Sequence, residues 1–414
     1  MDPSEPKRLG DYELLELVGT GAQGQVYKGR CVSSSHELVK EGEIVAVKVL
    51  ARGSGDPKDD ARFKRQARIL EKLDHPGICR YIDFFIDSEG EWDERKCLVT
   101  EFLDGLALSD RIRRYPRGLP WDEVQRIFDR CLDALCHASE QNVVHRDLKP
   151  SNIYLIETSE AKLIDFGIAR EEGGEETSTT GWRGSFDYMA PDFVHMESFR
   201  GDEQSDIFSM AICFYMALTG ALPFPAFGEN AHIGYLQRWQ AAQEVRPNFK
   251  HGAFRVLTRL KPFVLKGLNS DRDERFQTFN EMLDEFRKIR PRVVRHKGKD
   301  DYELVEMLGR GGFGEVFKGR RLSDGKFVAV KHLFAGRQSS RFIKEAQLLQ
   351  KYKHPDIVEY TDFIEIEGIG DDKEFFLIMQ YLPGMPGAGL NARIRRARSG
   401  IDPVEVTELF IHFL

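Results

Sequence analysis

Apolar residues recur along this chain in short runs separated by polar stretches, and the first of them predict strands. Tyr12-Glu13-Leu14-Leu15-Glu16-Leu17-Val18 reads as a strand, as does the β-branched run Ile44-Val45-Ala46-Val47-Lys48-Val49. Over 59–73 the spacing of Phe63, Ile69, Leu70 and Leu73 predicts a helix with one apolar face. The apolar pair Val143-Val144 leads into a polar loop, His145 to Asn152, and the strand-like run Ile153-Tyr154-Leu155-Ile156 leaves it. Leu163-Ile164 then runs into Asp165-Phe166-Gly167, a strand entering a turn. The longest apolar run, Ile207 to Leu218, falls short of the roughly 20 residues of a membrane span and predicts a buried helix.

The pattern repeats. Asp11-Tyr12-Glu13-Leu14 returns as Asp301-Tyr302-Glu303-Leu304, and Lys28-Gly29-Arg30 as Lys318-Gly319-Arg320. Ala46-Val47-Lys48 returns as Ala329-Val330-Lys331, His75-Pro76 as His354-Pro355, and Arg111-Ile112-Arg113-Arg114 as Arg393-Ile394-Arg395-Arg396. Between the copies, 291–299 is basic and aperiodic and reads as a linker. The expected division is a complete first copy over 10–290 and a second over 300–414. Leu414 falls inside a helix-like run equivalent to Val124 through Leu132, so the second copy reads as truncated.

Composition narrows the class. At 414 residues the chain should hold two or more domains, and 41% hydrophobic with 31% charged residues is ordinary for a soluble globular protein. A net charge of -7 argues against nucleic acid as the main partner. Cys31, Cys79, Cys97, Cys131, Cys136 and Cys213 show no paired metal spacing and read as reduced, buried thiols of a cytoplasmic protein. The amino terminus lacks an apolar signal core, and no membrane segment is expected within the chain. The basic run after Ser109 reads as the solvated face of a capped helix rather than a nucleic-acid patch.

Three places carry chemistry. Gly19-Thr20-Gly21-Ala22-Gln23-Gly24-Gln25-Val26 follows the first strand; its missing side chains let backbone amides close over phosphates, and the same pattern suits a tight hairpin. Lys48, a cation amid apolar neighbours, needs an anionic partner. Asp165, leaving a strand, can hold Mg²⁺ against phosphate oxygens, or can simply be a turn residue.

The octet His145-Arg146-Asp147-Leu148-Lys149-Pro150-Ser151-Asn152 resembles the catalytic loop of eukaryotic-type protein kinases, and the glycine pattern, Lys48 and Asp165-Phe166-Gly167 fit the same family. The resemblance implies an α+β fold of two lobes, a small antiparallel β lobe with helix C and a larger, mainly helical one. It implies ATP and Mg²⁺ as cofactors. Gly19, Gly21, Gly24, Val26, Ala46 and Lys48 would hold the nucleotide, with Glu101 and Leu103 at the hinge and Thr100 guarding the inner pocket. Asn152 and Asp165 would bind metal, Asp147 would take the substrate hydroxyl proton, and Lys149 would neutralise the transferring group. Asp206 would brace the loop, and Asp192 would pair with Arg275. Lys149 and Ser185 look like the serine/threonine kinases. The partner implied is a protein with a Ser/Thr acceptor, with autophosphorylation at Thr177, Ser178, Thr179 or Thr180 near Arg146.

The sequence departs from the family at Asp192, which replaces the usual glutamate, and most clearly on helix C. The register that puts Glu345 on helix C in the second copy puts Gln66, not an acid, in the first. The contrasting reading is therefore an ATP-binding pseudokinase scaffold; a small-molecule phosphotransferase is a third. In the second copy Gly309, Gly311, Gly314, Val316 and Lys331 match the nucleotide-binding pattern, but no catalytic loop follows them within this chain. That copy would bind nucleotide or regulate without transferring phosphate.

Overall fold

A computed structural model describes residues 8–21, 24–33, 38–50, 67, 70–87, 95–156, 160–166, 186–192, 201–224, 247–249, 251–295, 298, 300–310, 314–333, 339–351, 358–367 and 373–383. Most of the helix expected over 59–73, with Gln66, lies outside these residues, as do Thr177 to Thr180, Gly311 and the repeat at Arg393 to Arg396. The chain divides into two compact units. One is Met1–Asn248 with Pro262–Lys288; the other is Phe249–Lys261 with Ile289–Leu414.

The first unit opens with six antiparallel strands: β1 (Arg8–Leu9), β2 (Tyr12–Gly21), β3 (Gly24–Cys31), β4 (Ile44–Leu50), β5 (Tyr81–Asp87) and β6 (Arg95–Glu101). They form one sheet in the order β1-β2-β3-β4-β6-β5. Strand alternation sorts its residues: Val45, Val47 and Val49 enter a core with Leu9, Tyr12, Ile82 and Val99, so Ala46 and Lys48 take the opposite face. A small sheet of β7 (Gly105–Ala107), β8 (Ile153–Ile156) and β9 (Glu160–Leu163) follows, interleaved with helices α1 (Leu108–Arg114) and α2 (Trp121–Glu140).

The apolar run expected as a buried helix is α3 (Glu203–Thr219), enclosed on nearly every side. Asp202 and Ser205 close a capping box at its start, and Gly220 in the left-handed region ends it. Phe214 on α3 meets Trp121 and Phe128 of α2 edge-on, together with Phe263 of α5 (Leu260–Gly267) and Phe286 of α6 (Phe279–Phe286). This aromatic knot fixes α3 as the post on which the neighbouring loops hang. Helix α1 differs from its sequence reading in one respect. Its N-cap is Ala107, with no side-chain cap, and Arg111 is tied bidentately to Glu123 at 2.7 and 3.0 Å instead of lying in solvent.

The second unit repeats the sheet. β12 (Val293–Val294), β13 (Tyr302–Arg310), β14 (Gly314–Arg321), β15 (Phe327–Leu333), β16 (Tyr360–Glu367) and β17 (Lys373–Gln380) run β12-β13-β14-β15-β17-β16, the order of the first sheet. Helix α7 (Ser339–Lys351) packs Phe342, Ala346 and Leu349 on Leu333, Phe375 and Leu377. The stretch read as a linker contributes β12 and part of a two-stranded ribbon, β10 (Leu257–Thr258) with β11 (Arg290–Pro291). A short helix, α4 (Ala253–Val256), precedes β10.

Candidate active site

The site of the first unit is built from one sheet face and two loops. Val26 pairs with Lys48 across β3 and β4, and Ala46 with Thr100 across β4 and β6, so these four share the face opposite the valine core. Gly19 stands opposite Val26, and Gly21 opposite Gly24 at the end of the hairpin. Gly24 has φ +137°, and a Cβ on it would stand 2.0 Å from the carbonyl oxygen of Val49. No other residue fits there, so the hairpin keeps its backbone close against β4.

At the far end of β6, Glu101 is held three ways. Its amide donates to the carbonyl of Arg80 at 2.9 Å, and its carboxylate accepts from the Arg80 amide at 2.7 Å and pairs with Lys162. Its amide is thereby committed; its carbonyl accepts only long contacts, from the Thr100 hydroxyl at 3.3 Å and the Cys79 thiol at 3.9 Å, and is the backbone group that can serve a base. Leu103 follows, partly buried. Burial pushes the nearby Cys79 thiol up to about 12, so it stays protonated. Lys162 was not singled out from sequence. A lysine in a four-residue strand gives no signal until the partner strand is known.

The polar loop hangs from Asp206 on α3. Its Oδ2 accepts from the His145 amide at 2.7 Å and its Oδ1 from the Arg146 amide at 2.9 Å. Two fixed donors on two oxygens lock the loop, including Arg146 at φ +65°. Burial raises the Asp206 carboxyl to about 7, against the pull of those amides and of Arg146. His145 is fully enclosed, and burial lowers its imidazole to about 4. Its Nε2 lies 3.0 Å from the carbonyl of Ile164, its Nδ1 accepts from the Asp147 amide at 3.4 Å, and its ring packs on Phe166 with centroids 4.5 Å apart. Neutral imidazole with hydrogen on Nε2 satisfies both contacts.

The loop's reactive side chains converge. Lys149 Nζ stands 2.8 Å from Asp147 Oδ2, and the Asn152 amide nitrogen donates to the Asp147 carbonyl at 2.7 Å and its Oδ2 at 3.2 Å. Asp165, at φ +59°, turns to meet Lys48 Nζ at 2.7 Å. This is the anionic partner the sequence demanded for Lys48, and it comes from the loop after β9. Elsewhere in the first unit, Asp192 accepts from Arg275 at 2.9 Å with both side chains buried. Arg272, 3.4 Å away, adds a second cation that the sequence reading missed.

Among the described residues no group of three or more His, Cys, Asp or Glu could hold a metal ion unaided. Asp165 and Asn152 nevertheless suit Mg²⁺, which takes one or two protein ligands and completes its shell with phosphate oxygens and water. With the Asn152 nitrogen committed to Asp147, the amide oxygen is the atom that can ligate a cation.

The second unit carries a similar sheet face. Gly309 pairs with Val316 and Val316 with Lys331; a Cβ on Gly314 would stand 2.1 Å from the His332 carbonyl oxygen, as on Gly24. Lys331 Nζ lies 5.7 Å from the ring centroid of Phe342 on α7. Gly311 and the Glu345 side chain lie outside the described residues.

Known proteins match the chain as follows. The family model described as protein kinase domain matches residues 12–286 and again 302–413. Serine/threonine-protein kinase PknB of Mycolicibacterium smegmatis is 32% identical over 282 residues, covering 67% of this chain and 43% of that protein. Serine/threonine-protein kinase PrkC of Bacillus subtilis is 30% identical over 282 residues, covering 67% and 40%. The chain thus spans less than half the length of these curated relatives. The solved kinase domain of Mycobacterium tuberculosis PknI aligns with a TM-score of 0.48 at 22% identity, over 70% of this chain and 99% of that one. With an antiparallel sheet leading into helices and a family match over well over half its length, the chain belongs to the protein kinase domain family.

Proposed function

We propose that this chain is a protein serine/threonine kinase whose active site lies in residues 10–290, using ATP and Mg²⁺. The observation that carries the reading is the joining of Lys48 to Asp165 beside the Asp147-Lys149-Asn152 cluster, on a loop braced by Asp206. Gly19, Gly21, Gly24, Val26 and Ala46 would cradle and roof the nucleotide, and the Glu101 carbonyl and Leu103 would meet its base. Asp165 and the Asn152 oxygen would hold Mg²⁺, which when bound neutralises charge on the phosphate oxygens. Asp147 would accept the hydrogen of the substrate hydroxyl, and Lys149, already at its carboxylate, would offset charge on the group in transit. Lys149 is the feature that favours Ser/Thr over Tyr acceptors, and the relatives' printed names agree.

Residues 300–414 are read as a second kinase copy, nucleotide-binding or regulatory, joined by 291–299. Autophosphorylation among Thr177, Ser178, Thr179 and Thr180 and a cytoplasmic setting complete the proposal; among the described residues no helix is long and apolar enough to cross a membrane. The pseudokinase alternative rests on Gln66. The deciding measurement is γ-phosphoryl transfer from radiolabelled ATP to a generic protein substrate. Transfer is expected from the parent chain and absent from Asp147→Asn, with ATP binding nearly intact. Equal rates in the two proteins would falsify the enzyme reading.

A further inference from the structure

The compact unit that contains the second sheet also contains residues 249–261, which lie within the first copy's sequence. Backbone hydrogen bonds anchor them: β10 pairs with β11, the Arg292 amide donates to the Val256 carbonyl at 2.6 Å, and the Leu304 amide on β13 donates to the Arg292 carbonyl at 2.8 Å. Gly252 approaches so closely that an added Cβ would stand 2.9 Å from the Met307 Cβ. Arg255 Nε stands 3.6 Å from Glu315 Oε1, a carboxylate side chain only 3% exposed.

Alternation tells which face this segment covers. Met307 pairs with Phe317 and Glu315 with His332, so they share one face, while Val316 and Lys331, paired with each other, share the opposite one. Glu315 sits between Gly314 and Val316, and His332 follows Lys331. These contacts therefore act on the two strands that carry the nucleotide pattern, one residue away from it.

The first copy supplies an internal comparison. By the same pairings, Leu17, Gln25 and Val49 take the places of Met307, Glu315 and His332. Leu17 is 48% exposed and Gln25 is neutral and only partly covered, whereas Met307 is half-buried and Glu315 enclosed; the third pair runs the other way, Val49 being buried and His332 only partly so. An enclosed carboxylate is costly without a cation, and the second copy has one at the spot Arg255 reaches.

We propose that residues 249–261, through Arg255, are a positioning element of the second copy's nucleotide site, so that the second sheet borrows part of its support from the first copy's sequence. This rests on the reading that the second copy binds nucleotide. Hydrogen exchange on the full chain, titrated with Mg²⁺ and a non-hydrolysable ATP analogue, gives separate midpoints for peptides covering 24–31 and 314–321. Arg255→Glu is expected to shift the 314–321 midpoint by about tenfold or more and leave 24–31 unmoved. Arg255→Lys should stay within about twofold of the parent, and adding Glu315→Arg to Arg255→Glu should restore most of the loss. Protection at 314–321 that Arg255→Glu does not move, or that moves equally at 24–31, overturns this proposal alone. No protection at 314–321 in the parent chain, with 24–31 protected, overturns the nucleotide reading of the second copy and this proposal with it.

Discussion

Lys48 shows how one residue's environment can be half legible. A lysine amid the apolar run of β4 must find an anion, and that followed from sequence; that it faces away from the valine core came with the strand pairing. Which anion did not follow, because Asp165 lies 117 positions later and reaches Lys48 only through the turn after β9. The Lys48–Asp165 contact at 2.7 Å bears on Gln66. With one carboxylate already on the ammonium, an acid on helix C would add a second charge-assisted bond rather than supply the first. Such a bond exceeds its neutral counterpart by about 1 kcal/mol, which is under tenfold in rate. Gln66→Glu is therefore expected to raise transfer by less than about tenfold, and Lys48→Met to abolish it. Initial rates at saturating ATP measure both; undiminished transfer by Lys48→Met would remove the ATP-site assignment.

The loop from His145 to Asn152 was legible as an element because eight consecutive residues carry it. Its support was less so: Asp206 could be matched by resemblance, but its two-oxygen grip on the His145 and Arg146 amides needed the structure. Nor could the sequence show that Ala107 starts α1 without a side-chain cap, because the boundary is set by the β7–β8 pairing immediately before it. Two enclosed titratable groups, His145 in the loop and Asp206 on α3, make opposite demands on pH. His145, lowered from 6.5 to about 4, contributes stability that is complete above pH 6.5 and is lost as pH falls toward 4. Asp206, raised from 3.8 to about 7, penalises the native state above pH 7, and the penalty lifts as pH falls toward 3.8. Between pH 6.5 and 4 the two slopes offset. Asp206→Asn removes one of them and leaves the histidine slope exposed, on the order of 2 kcal/mol lost between pH 6.5 and 5. Asparagine also offers one acceptor to two amides, so the variant should be less stable at every pH and nearly inactive. Urea unfolding at pH 6.5 and 5 decides: parent and variant falling in parallel would refute the opposed-pair account.

For the whole molecule, the repeat in the sequence stands beside two sheets of the same strand order, and paired strands keep their alternation wherever they stand. The limits of the compact units were less legible, since contacts rather than chain order define them: Phe249–Lys261 clusters with Ile289–Leu414 although 290 is the boundary that the sequence suggests. A chain ending at residue 290 keeps Thr258 and its bond to the Arg290 carbonyl but loses the Arg292 amide that meets Val256, the Met307 side chain under Gly252, and Glu315 beside Arg255. One backbone hydrogen bond contributes about 1 kcal/mol, a partly exposed ion pair up to about 1, and the lost apolar contact about another. Local stability of 249–261 should therefore fall by roughly 2–3 kcal/mol, an increase in amide exchange on the order of a hundredfold if local opening governs it. Amides of α2 and α3, held by the aromatic knot around Phe214, should exchange at parent rates. Exchange compared between the full chain and residues 1–290 separates the outcomes. Unchanged rates over 249–261 would mean that this segment does not depend on the second sheet, and faster exchange throughout α2 and α3 would mean that the cut unfolds far more than the segment it was meant to release.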